Sequence, residues 1–277
     1  WNCTRQCNLR CVHCYATATC QPAPDELDGD EARAMIEDIG RFGSPVILFS
    51  GGEPTMRPDL MELIAHAKSA GLRAVISTNG TLITQPMAEK LAEKGLSYVG
   101  VSLDGLQPVH DKFRGVAGAF QQALEGMRNC LAVGVKVGLR FTLNKQNVAD
   151  LPGIFDLIER EGIGRVCFYH LVYTGRGDKL REATLSNQQT RETVDLILDR
   201  TKALHDSGRA VEVLTVDNHA DGPYLYLRLR KENPERAAGC LELLKMNGGN
   251  STGVGIGCVS WNGDVMPDQF WRHHVLG

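Results

Sequence analysis

The segment Cys7-Asn-Leu-Arg-Cys11-Val-His-Cys14 places three thiols on one short loop, in a C-x3-C-x2-C spacing that follows a predicted first strand at Trp1–Thr4. Thiolates are soft ligands that suit iron–sulfur clusters, zinc or copper(I). A [4Fe–4S] cluster usually takes four cysteines. Three cysteines on one loop would therefore hold three corners of such a cluster and leave one iron open for a small-molecule ligand.

Outward from this loop, short apolar segments alternate with segments of helical spacing. Strands are predicted at Val46–Phe49, Arg73–Ser77, Tyr98–Ser102, Lys136–Leu143 and Arg165–Tyr169, and helices at Glu31–Phe42, Pro58–Ala70, Pro86–Lys94, Ala119–Ala132 and Leu151–Arg160. This alternation predicts parallel βαβ units with right-handed crossovers. About six units by residue 172 fall short of the eight that close a TIM barrel. We therefore expect an α/β fold with a partial, open (β/α)6 TIM-like barrel over residues 1–177.

The rhythm changes after Gly177, which predicts a second region over residues 178–277. The predicted elements there are a long helix at Ser186–Ser207, a strand at Val211–Val216, a helix at Pro234–Met246 and a hairpin at Ile256–Met266 that turns at Asn262-Gly263. We expect an α+β C-terminal extension. Because the chain begins at Trp1 and its pattern does not stop at Gly277, we interpret it as a segment of a longer protein.

Composition excludes several classes of function. With 277 residues, 43% of them hydrophobic, the chain has the make-up of an ordinary globular protein. The formal net charge of −3 gives no basic field, so we expect no nucleic-acid partner. No apolar run approaches the roughly 20 residues that a membrane span needs, so we expect no membrane partner. The cysteine count of 9 is odd and most of these residues precede residue 21, which favours metal binding in a reducing cytoplasm over a disulfide framework.

Further polar motifs lie where predicted strands end. Ser50-Gly51-Gly52-Glu53-Pro54 follows the strand at Val46–Phe49. Its glycines allow close backbone approach to a ligand, and its carboxylate suits a cation. Ser77-Thr-Asn79-Gly and Ser102-Leu-Asp104-Gly end the next two strands, and ligands of β/α folds bind at such strand ends. The structural alternatives are a simple turn for the first motif and helix capping for the other two.

The cysteine spacing and the Gly-Gly-Glu-Pro motif about 40 residues later together resemble the radical SAM superfamily. In that family the open iron is chelated by the amino and carboxylate groups of S-adenosylmethionine (SAM). One electron from the reduced cluster cleaves SAM to a 5′-deoxyadenosyl radical, which abstracts hydrogen from the substrate. The resemblance implies that Cys7, Cys11 and Cys14 ligate a [4Fe–4S] cluster. The cofactor supplies the reactive chemistry, and the protein orients it.

The same resemblance implies SAM contacts at positions near the predicted strand ends, namely His13, Tyr15, Gly51, Gly52, Glu53, Ser77, Asn79, Ser102, Asp104 and Arg140. The histidine and the tyrosine backbone would lie beside the adenine, and the Gly-Gly-Glu turn would bind the SAM ammonium. The serines, the asparagine and the aspartate of the next two strand ends would lie near the ribose and the methionine carboxylate. The arginine would bind that carboxylate, and an ordinary surface position on a strand is its alternative.

The C-terminal region carries two further candidate ligands. Cys240-x12-Gly253-x4-Cys258 resembles the opening of the SPASM extension of this superfamily, which carries auxiliary [4Fe–4S] clusters. The resemblance implies that Cys240 and Cys258 are ligands of an auxiliary cluster. Two buried free thiols are the alternative, because cysteine is among the most buried residue types. Cys130 and Cys167 fall in a predicted helix and a predicted strand, so we expect both in the core.

Several stretches resemble one subgroup of the superfamily, the tetrapyrrole-modifying enzymes of the alternative haem and haem d1 pathways. These stretches are Trp1–Arg5, Tyr169–Gly177, Asp217–Tyr224 and Pro267–His273. The resemblance implies an enzyme that removes acetate side chains from didecarboxysiroheme in alternative haem biosynthesis, with the haem d1 enzyme as its near twin. It also implies a tetrapyrrole substrate and a reductant such as a flavodoxin or a ferredoxin.

A substrate with many carboxylates needs cations, and arginine favours bidentate carboxylate binding. The arginine candidates are Arg114, Arg140, Arg176, Arg228 and Arg272. The histidines that could ligate a siroheme iron or donate protons are His170, His219, His273 and His274. The sequence assigns no catalytic side chain among them.

Three other interpretations stay open at this stage. One is a radical SAM enzyme that modifies peptides, since many proteins with this extension do so. Another is an electron carrier, although carriers usually close all four ligands with cysteine. The last is a zinc-stabilised module in which Cys3 or Cys20 supplies a fourth thiolate. Two features, the Gly-Gly-Glu-Pro motif and the predicted barrel, argue against the electron carrier and the zinc module.

Overall fold

A seven-stranded parallel sheet is the framework of the structure, a computed structural model that describes residues 1–277. The strands, in spatial as in chain order, are β1 (Asn2–Thr4), β2 (Val46–Gly51), β3 (Arg73–Thr78), β4 (Tyr98–Ser102), β5 (Lys136–Leu143), β6 (Arg165–His170) and β7 (Glu212–Val216). β1 and β7 are not hydrogen-bonded to each other, so the sheet is an open partial barrel. The predicted α/β class is confirmed, and β7 adds one strand to the six that the alternation predicted.

Helices connect the strands and cover the sheet. They are α1 (Gly29–Phe42), α2 (Leu60–Ser69), α3 (Gln85–Glu93), α4 (Gln107–Arg114), α5 (Ala119–Ala132), α6 (Leu151–Glu161), α7 (Asn187–Asp206), α8 (Asp221–Glu232) and α9 (Pro234–Asn247). Capping boxes at Asp28 and Ser186 start α1 and α7. The sequence did not predict α4 and α8. In α4 the buried positions include His110 and Arg114, so polar residues interrupt its apolar stripe.

The core lies between the sheet and the inner faces of the helices. Its largest side chains include Phe141, Phe155 and Phe168, which are fully buried and whose rings lie 5.4–6.0 Å apart in two contacts. Cys130 and Cys167 are buried, as predicted. Each fully buried side chain of this size stabilises the fold by about 1.5–3 kcal/mol. The opposite face of the strands carries polar side chains such as Ser77, Ser102 and Arg140 among apolar ones, and that face lines the functional cavity.

A short antiparallel hairpin lies beside the start of the chain. Its strands are β8 (Cys258–Val259) and β9 (Val265–Met266), and Gly263 turns between them with φ +93°. The indole Nε1 of Trp1 donates to the Ser260 carbonyl at 3.2 Å, which ties the hairpin to β1. The predicted hairpin is therefore confirmed. A domain boundary after residue 177 stays a prediction, and β7 from beyond it pairs with β6. No helix is both long and apolar enough to cross a bilayer.

Candidate functional site

A cavity of about 1270 Å³ extends over the carboxyl ends of the strands. Its wall brings together most of the residues that the sequence singled out: Cys7, Cys11, His13, Cys14, Tyr15, Gly51, Gly52, Ser77, Asn79, Ser102, Asp104, Arg140 and Cys258. Glu53 is fully buried behind this wall, and Cys240 lies on α9 away from it. The predicted site residues therefore converge on one space, with these two exceptions.

The cysteine loop is clamped by Arg176, a residue of the segment that follows β6. The Arg176 side chain donates from Nε to the Cys11 carbonyl at 2.8 Å and from Nη1 to the Ala18 carbonyl at 3.0 Å. Its backbone N–H donates to the Cys14 carbonyl at 2.9 Å. These bonds use the guanidinium to fix the loop. Arg176 is thus a loop-positioning residue rather than a free cation for a substrate carboxylate.

The spacing of the thiols separates two kinds of metal site. No group of three or more His, Cys, Asp or Glu side chains lies close enough together to bind one metal ion. A structural zinc site needs four ligands on a single ion, so this spacing does not match the zinc interpretation. A cubane receives each thiolate on a different iron, so it needs ligands that are set apart. Burial raises the pKa of the Cys7 thiol to about 12, so metal binding would displace its proton.

Asp104, at the end of β4, organises the charged groups beside the loop. Its Oδ2 bonds to the Arg114 guanidinium and lies 3.2 Å from Nε2 of His13. Its Oδ1 accepts from the Thr142 backbone N–H at 2.8 Å. Arg114 also donates from Nη1 to the Cys11 Sγ at 3.4 Å. We call His13, Asp104 and Arg114 the loop-side set.

The side chains of the loop-side set are largely buried, and the negative charge of Asp104 lies against the positive charge of Arg114. Burial lowers the pKa of His13 to about 4 and outweighs the opposing charge of Asp104. Burial works to raise the pKa of Asp104, but the charges of Arg114 and His13 hold it below its ordinary value. The buried Nδ1 of His13 and Nε of Arg114 have no protein partner. Such unpartnered polar atoms, an acceptor on the neutral His13 ring and a donor on Arg114, beside three thiols fit a bound polar cofactor.

Glu53 joins two of the predicted motifs. One carboxylate oxygen accepts from the Thr78 hydroxyl at 2.6 Å and the Thr55 hydroxyl at 2.7 Å, and the other accepts from the Asn79 N–H at 2.7 Å. Burial raises its pKa, and these hydrogen bonds oppose the rise. The carboxylate therefore holds the glycine turn against the end of β3. Its predicted contact with the SAM ammonium stays a prediction.

The two glycines of this turn are needed by the chain itself. A Cβ on Gly52 would lie 2.1 Å from the Gln6 carbonyl oxygen, and one on Gly51 would lie 2.5 Å from the Thr4 carbonyl oxygen. Gly51 also has a backbone φ of +119°, which residues with a side chain rarely adopt. The glycines thus let the end of β2 approach the start of the cysteine loop, while their backbone still faces the cavity.

A second group of polar side chains comes from the middle of β5, the end of β6 and the residue that follows β7. We call Arg140, His170 and Asp217 the β5–β7 set; all three line the cavity. Arg140 lies with its guanidinium carbon 4.9 Å from the Tyr169 ring centroid and forms no hydrogen bond or ion pair with the protein. A Cβ on Gly100 would lie 3.0 Å from Cδ of Arg140, so this glycine makes room for the arginine stem.

Sequence reasoning named the stretch Asp217–Tyr224 as part of a resemblance but gave neither Asp217 nor Asp221 a role in the site. Asp217 directly follows β7, and Oδ2 of Asp221 lies 2.8 Å from Nε2 of His170. The usable signal was position, since an aspartate that directly follows a predicted strand at Val211–Val216 falls at the same edge as the other motifs.

The remaining candidate arginines and histidines lie elsewhere or are already bonded. Arg228 forms ion pairs with Asp195 and Asp199 outside the cavity. Arg272 lies over the Tyr15 ring at 5.3 Å and donates to the Ala16 carbonyl. Of the candidate histidines, three are exposed and lie outside the cavity wall: His219, His273 and His274.

An open β/α barrel with a three-cysteine loop and a Gly-Gly-Glu turn at one cavity defines a class of enzyme. The chain belongs to the radical SAM superfamily, whose family model, described as "Radical SAM superfamily", matches residues 1–158. Enzymes of this family use a [4Fe–4S] cluster and SAM, so these two predicted cofactors are confirmed.

Two curated relatives match the whole chain. "Fe-coproporphyrin III synthase" of Methanosarcina barkeri is 64% identical over 277 residues, which is 100% of this chain and 69% of the relative. "Pre-heme d1 synthase" of Dinoroseobacter shibae is 41% identical over 280 residues and is covered to the same extent, 100% and 69%. The predicted resemblance to tetrapyrrole-modifying enzymes is thereby confirmed.

The fold also matches solved structures of radical SAM enzymes. Streptococcus suis SuiB bound to the precursor peptide SuiA superposes with a TM-score of 0.73 at 20% identity and is similar over 96% of this chain. The chain spans 57% of that structure's length. At this identity the likeness extends to the fold alone.

Proposed function

We propose that this chain is the catalytic part of an enzyme that removes acetate side chains from didecarboxysiroheme to give an iron coproporphyrin. The observation that carries the proposal is the 64% identity, over all 277 residues, with a relative named for the synthesis of Fe-coproporphyrin III. The proposal covers the reaction and the substrate of the whole protein, because the matched relatives are longer than this chain.

The size and the charge of the cavity support a large anionic substrate. Pockets for drug-sized ligands are about 300–1,000 Å³, whereas this cavity measures about 1270 Å³. The excess leaves room for a macrocycle beside SAM. Of the candidate arginines, Arg140 lines the cavity without a hydrogen bond or ion pair to the protein. A free guanidinium is suited to a carboxylate.

In the proposed arrangement, Cys7, Cys11 and Cys14 would hold the [4Fe–4S] cluster. When bound, the cluster and SAM supply the radical that abstracts hydrogen from the substrate. The chain contributes position and charge: Arg176 fixes the loop, and Arg114 donates to the Cys11 sulfur. Asp104 holds the His13 ring, which packs on Phe113 with ring centroids 4.8 Å apart and would lie beside the adenine.

An auxiliary cluster and the remaining partners belong to the same proposal. Cys258 lines the cavity, and the Asn2 amide donates to its Sγ at 3.5 Å. Cys240 lies outside the cavity wall. A cluster bound by both cysteines would therefore require Cys240 to move, or further ligands from outside the cavity lining. The proposal further includes a flavodoxin or ferredoxin as reductant, a cytoplasmic location, and an extension that starts at residue 178.

Haem d1 biosynthesis is the second candidate function. It is favoured by the 41% identity with pre-heme d1 synthase, which also extends over the whole chain. A peptide-modifying activity has weaker support, because the match to SuiB concerns the fold alone. These alternatives differ in substrate and not in the way that SAM is used.

Product mass separates the candidates. The full-length protein would be reconstituted anaerobically with iron and sulfide, then given dithionite, SAM and didecarboxysiroheme. We expect 5′-deoxyadenosine together with a tetrapyrrole that has lost acetate arms. Formation of 5′-deoxyadenosine without any change in tetrapyrrole mass would reject the substrate and keep the enzyme class.

A further inference from the structure

The residue that follows β7 has an unusual backbone. Asp217 has φ +67°, and Thr17 is the only other non-glycine residue of the chain with a positive φ. Aspartate and asparagine tolerate this left-handed conformation better than other side chains. A backbone conformation that costs free energy persists where the surrounding structure holds it in place, and such positions are often found at ligand sites. Here the turn leaves Asp217 in the cavity wall.

The Asp217 carboxylate has no hydrogen bond or ion pair within the protein, and it is exposed to the cavity. Desolvation by the surrounding wall raises its pKa to about 6, although His170 and Arg140 oppose the rise. The charged and titratable groups that influence it from neighbouring elements are Arg140 on β5, Tyr169 and His170 on β6, His219 on its own loop and Asp268 in the C-terminal segment.

The neighbouring histidine is held in a fixed orientation. Nε2 of His170 lies 2.8 Å from Oδ2 of the buried Asp221, and Oδ1 of Asp221 accepts from the Asn218 amide at 2.8 Å. A carboxylate on one ring nitrogen sets the proton there and orients the ring. Nδ1 of His170 has no partner in the protein. Nδ1 donates to a carboxylate only from the imidazolium, whose two nitrogens both carry protons, so a carboxylate in the cavity that His170 lines would be bound by this form of the ring.

We propose that Asp217 and His170 form a subsite for one carboxylate arm of the substrate, with Asp217 binding in its protonated form and Asp221 as the positioning residue. The proposal rests on the proposed function, because the arm belongs to a tetrapyrrole. A protonated carboxyl donates a hydrogen bond to a carboxylate, whereas an ionised one repels it. Binding of the arm would therefore draw a proton onto Asp217.

The test measures the affinity of the full-length, reconstituted protein for iron coproporphyrin III at pH 6 and pH 8. For the wild type we expect binding on the order of tenfold weaker or more at pH 8, since the ionised carboxylate must first take up a proton. Asp217→Asn should show a markedly smaller difference between the two pH values than the wild type, because its amide donates at both. Asparagine also tolerates the left-handed backbone, so this variant keeps the fold.

Proton uptake gives a second measurement that needs no variant. Calorimetric titration at pH 7.5 in two buffers of different ionisation enthalpy should report at least about one proton taken up per macrocycle in the wild type. Asp217→Asn should take up markedly less. The matched control is Asp25→Asn, which changes an exposed aspartate outside the cavity and should behave as the wild type does.

His170 is tested through the same affinity. His170→Ala should weaken binding of the macrocycle on the order of tenfold at pH 6, and Asp221→Asn should weaken it less. A pH dependence that is unchanged in Asp217→Asn would overturn the subsite. If the wild type binds the macrocycle at neither pH, the proposed function fails, and the subsite that rests on it fails too.

Discussion

The loop-side set and the β5–β7 set line one cavity but are held in opposite ways. In the loop-side set, Asp104 bonds to both Arg114 and His13. In the β5–β7 set, Arg140 and Asp217 have no hydrogen-bonding partner in the protein, and both face the cavity. A buried charge without a partner is costly, so paired groups can be sealed into a wall and unpaired groups need water or a ligand. Pairing thus commits Asp104 and Arg114 to the wall of the site, whereas Arg140 and Asp217 are left for what enters the cavity; His170 combines both, because it pairs with Asp221 through one nitrogen only.

The largest effect is expected from removing a loop thiolate. Cys11→Ser should abolish cluster assembly, because two thiolates cannot hold the cluster that the loop is proposed to carry. Iron and sulfide content after anaerobic reconstitution, together with 5′-deoxyadenosine formation, measures the loss. The control is Cys20→Ser, an exposed cysteine of the same segment. A Cys11→Ser protein that retains a full cluster would remove the loop from the site.

Glu53 is outside the loop-side set but is likewise paired within the protein, so a change there should cost stability. Glu53→Gln replaces one acceptor oxygen of a fully buried carboxylate with an amide that faces N–H and O–H donors. We expect the free energy of unfolding to fall by about 3 kcal/mol, as for a buried charged group that loses its partners. Urea denaturation of the metal-free protein measures it, with the exposed Glu62→Gln as control. An unchanged midpoint would mean that Glu53 does not act as the clamp.

A change on the unpaired side should cost binding instead. Arg140→Gln breaks no protein hydrogen bond and loses only the contact with the Tyr169 ring, so we expect the free energy of unfolding to fall by about 1 kcal/mol or less. If Arg140 binds the SAM carboxylate, its loss should weaken SAM binding by about 2 kcal/mol, or about thirtyfold. Equilibrium dialysis on the reconstituted protein measures this, with Arg73→Gln, an exposed residue at the start of β3, as control. Unaltered SAM affinity would leave Arg140 to the substrate.

The smallest expected effect is a change in the free energy of unfolding with pH. His110 accepts from the Asp104 backbone N–H at 3.0 Å, and burial lowers its pKa from 6.5 to about 3. Between pH 6.5 and 3 the unfolded chain therefore binds a proton that the folded chain does not, and stability falls as pH falls. From pH 6.5 to 5 we expect His110 to contribute a loss of about 1 kcal/mol per pH unit. His110→Asn, whose Oδ1 accepts the same hydrogen bond, should flatten this slope in denaturation curves.

Much of the fold and part of the site could be predicted from the sequence, since period and motif are local. The six strands and the helix at Ala119–Ala132 follow from apolar spacing that repeats within a few residues. The lining of the cavity by Cys7, Gly52 and Asn79 follows from parallel strands, whose carboxyl ends meet at one edge.

The partners of the charged groups could not be predicted in the same way. Arg114 meets the sulfur of Cys11 across 103 residues of sequence, and no local pattern records that contact. Glu53 matched a ligand motif, yet its oxygens bond to Thr78 and Asn79. For Asp217 the relevant facts are the lack of a partner and a positive φ, and both depend on the folded chain.

Gly100 on β4 has a consequence for the neighbouring strand. Because Gly100 has no side chain, the methylene stem of Arg140 crosses β4 and carries its guanidinium toward the ligand space. A single methyl group at residue 100 would lie 3.0 Å from Cδ of Arg140, so the stem would have to shift to make room for it. The position of the Arg140 guanidinium therefore depends on Gly100, a residue of the neighbouring strand that would not contact a bound anion. A substitution at Gly100 should change anion binding although every residue that contacts the anion stays the same.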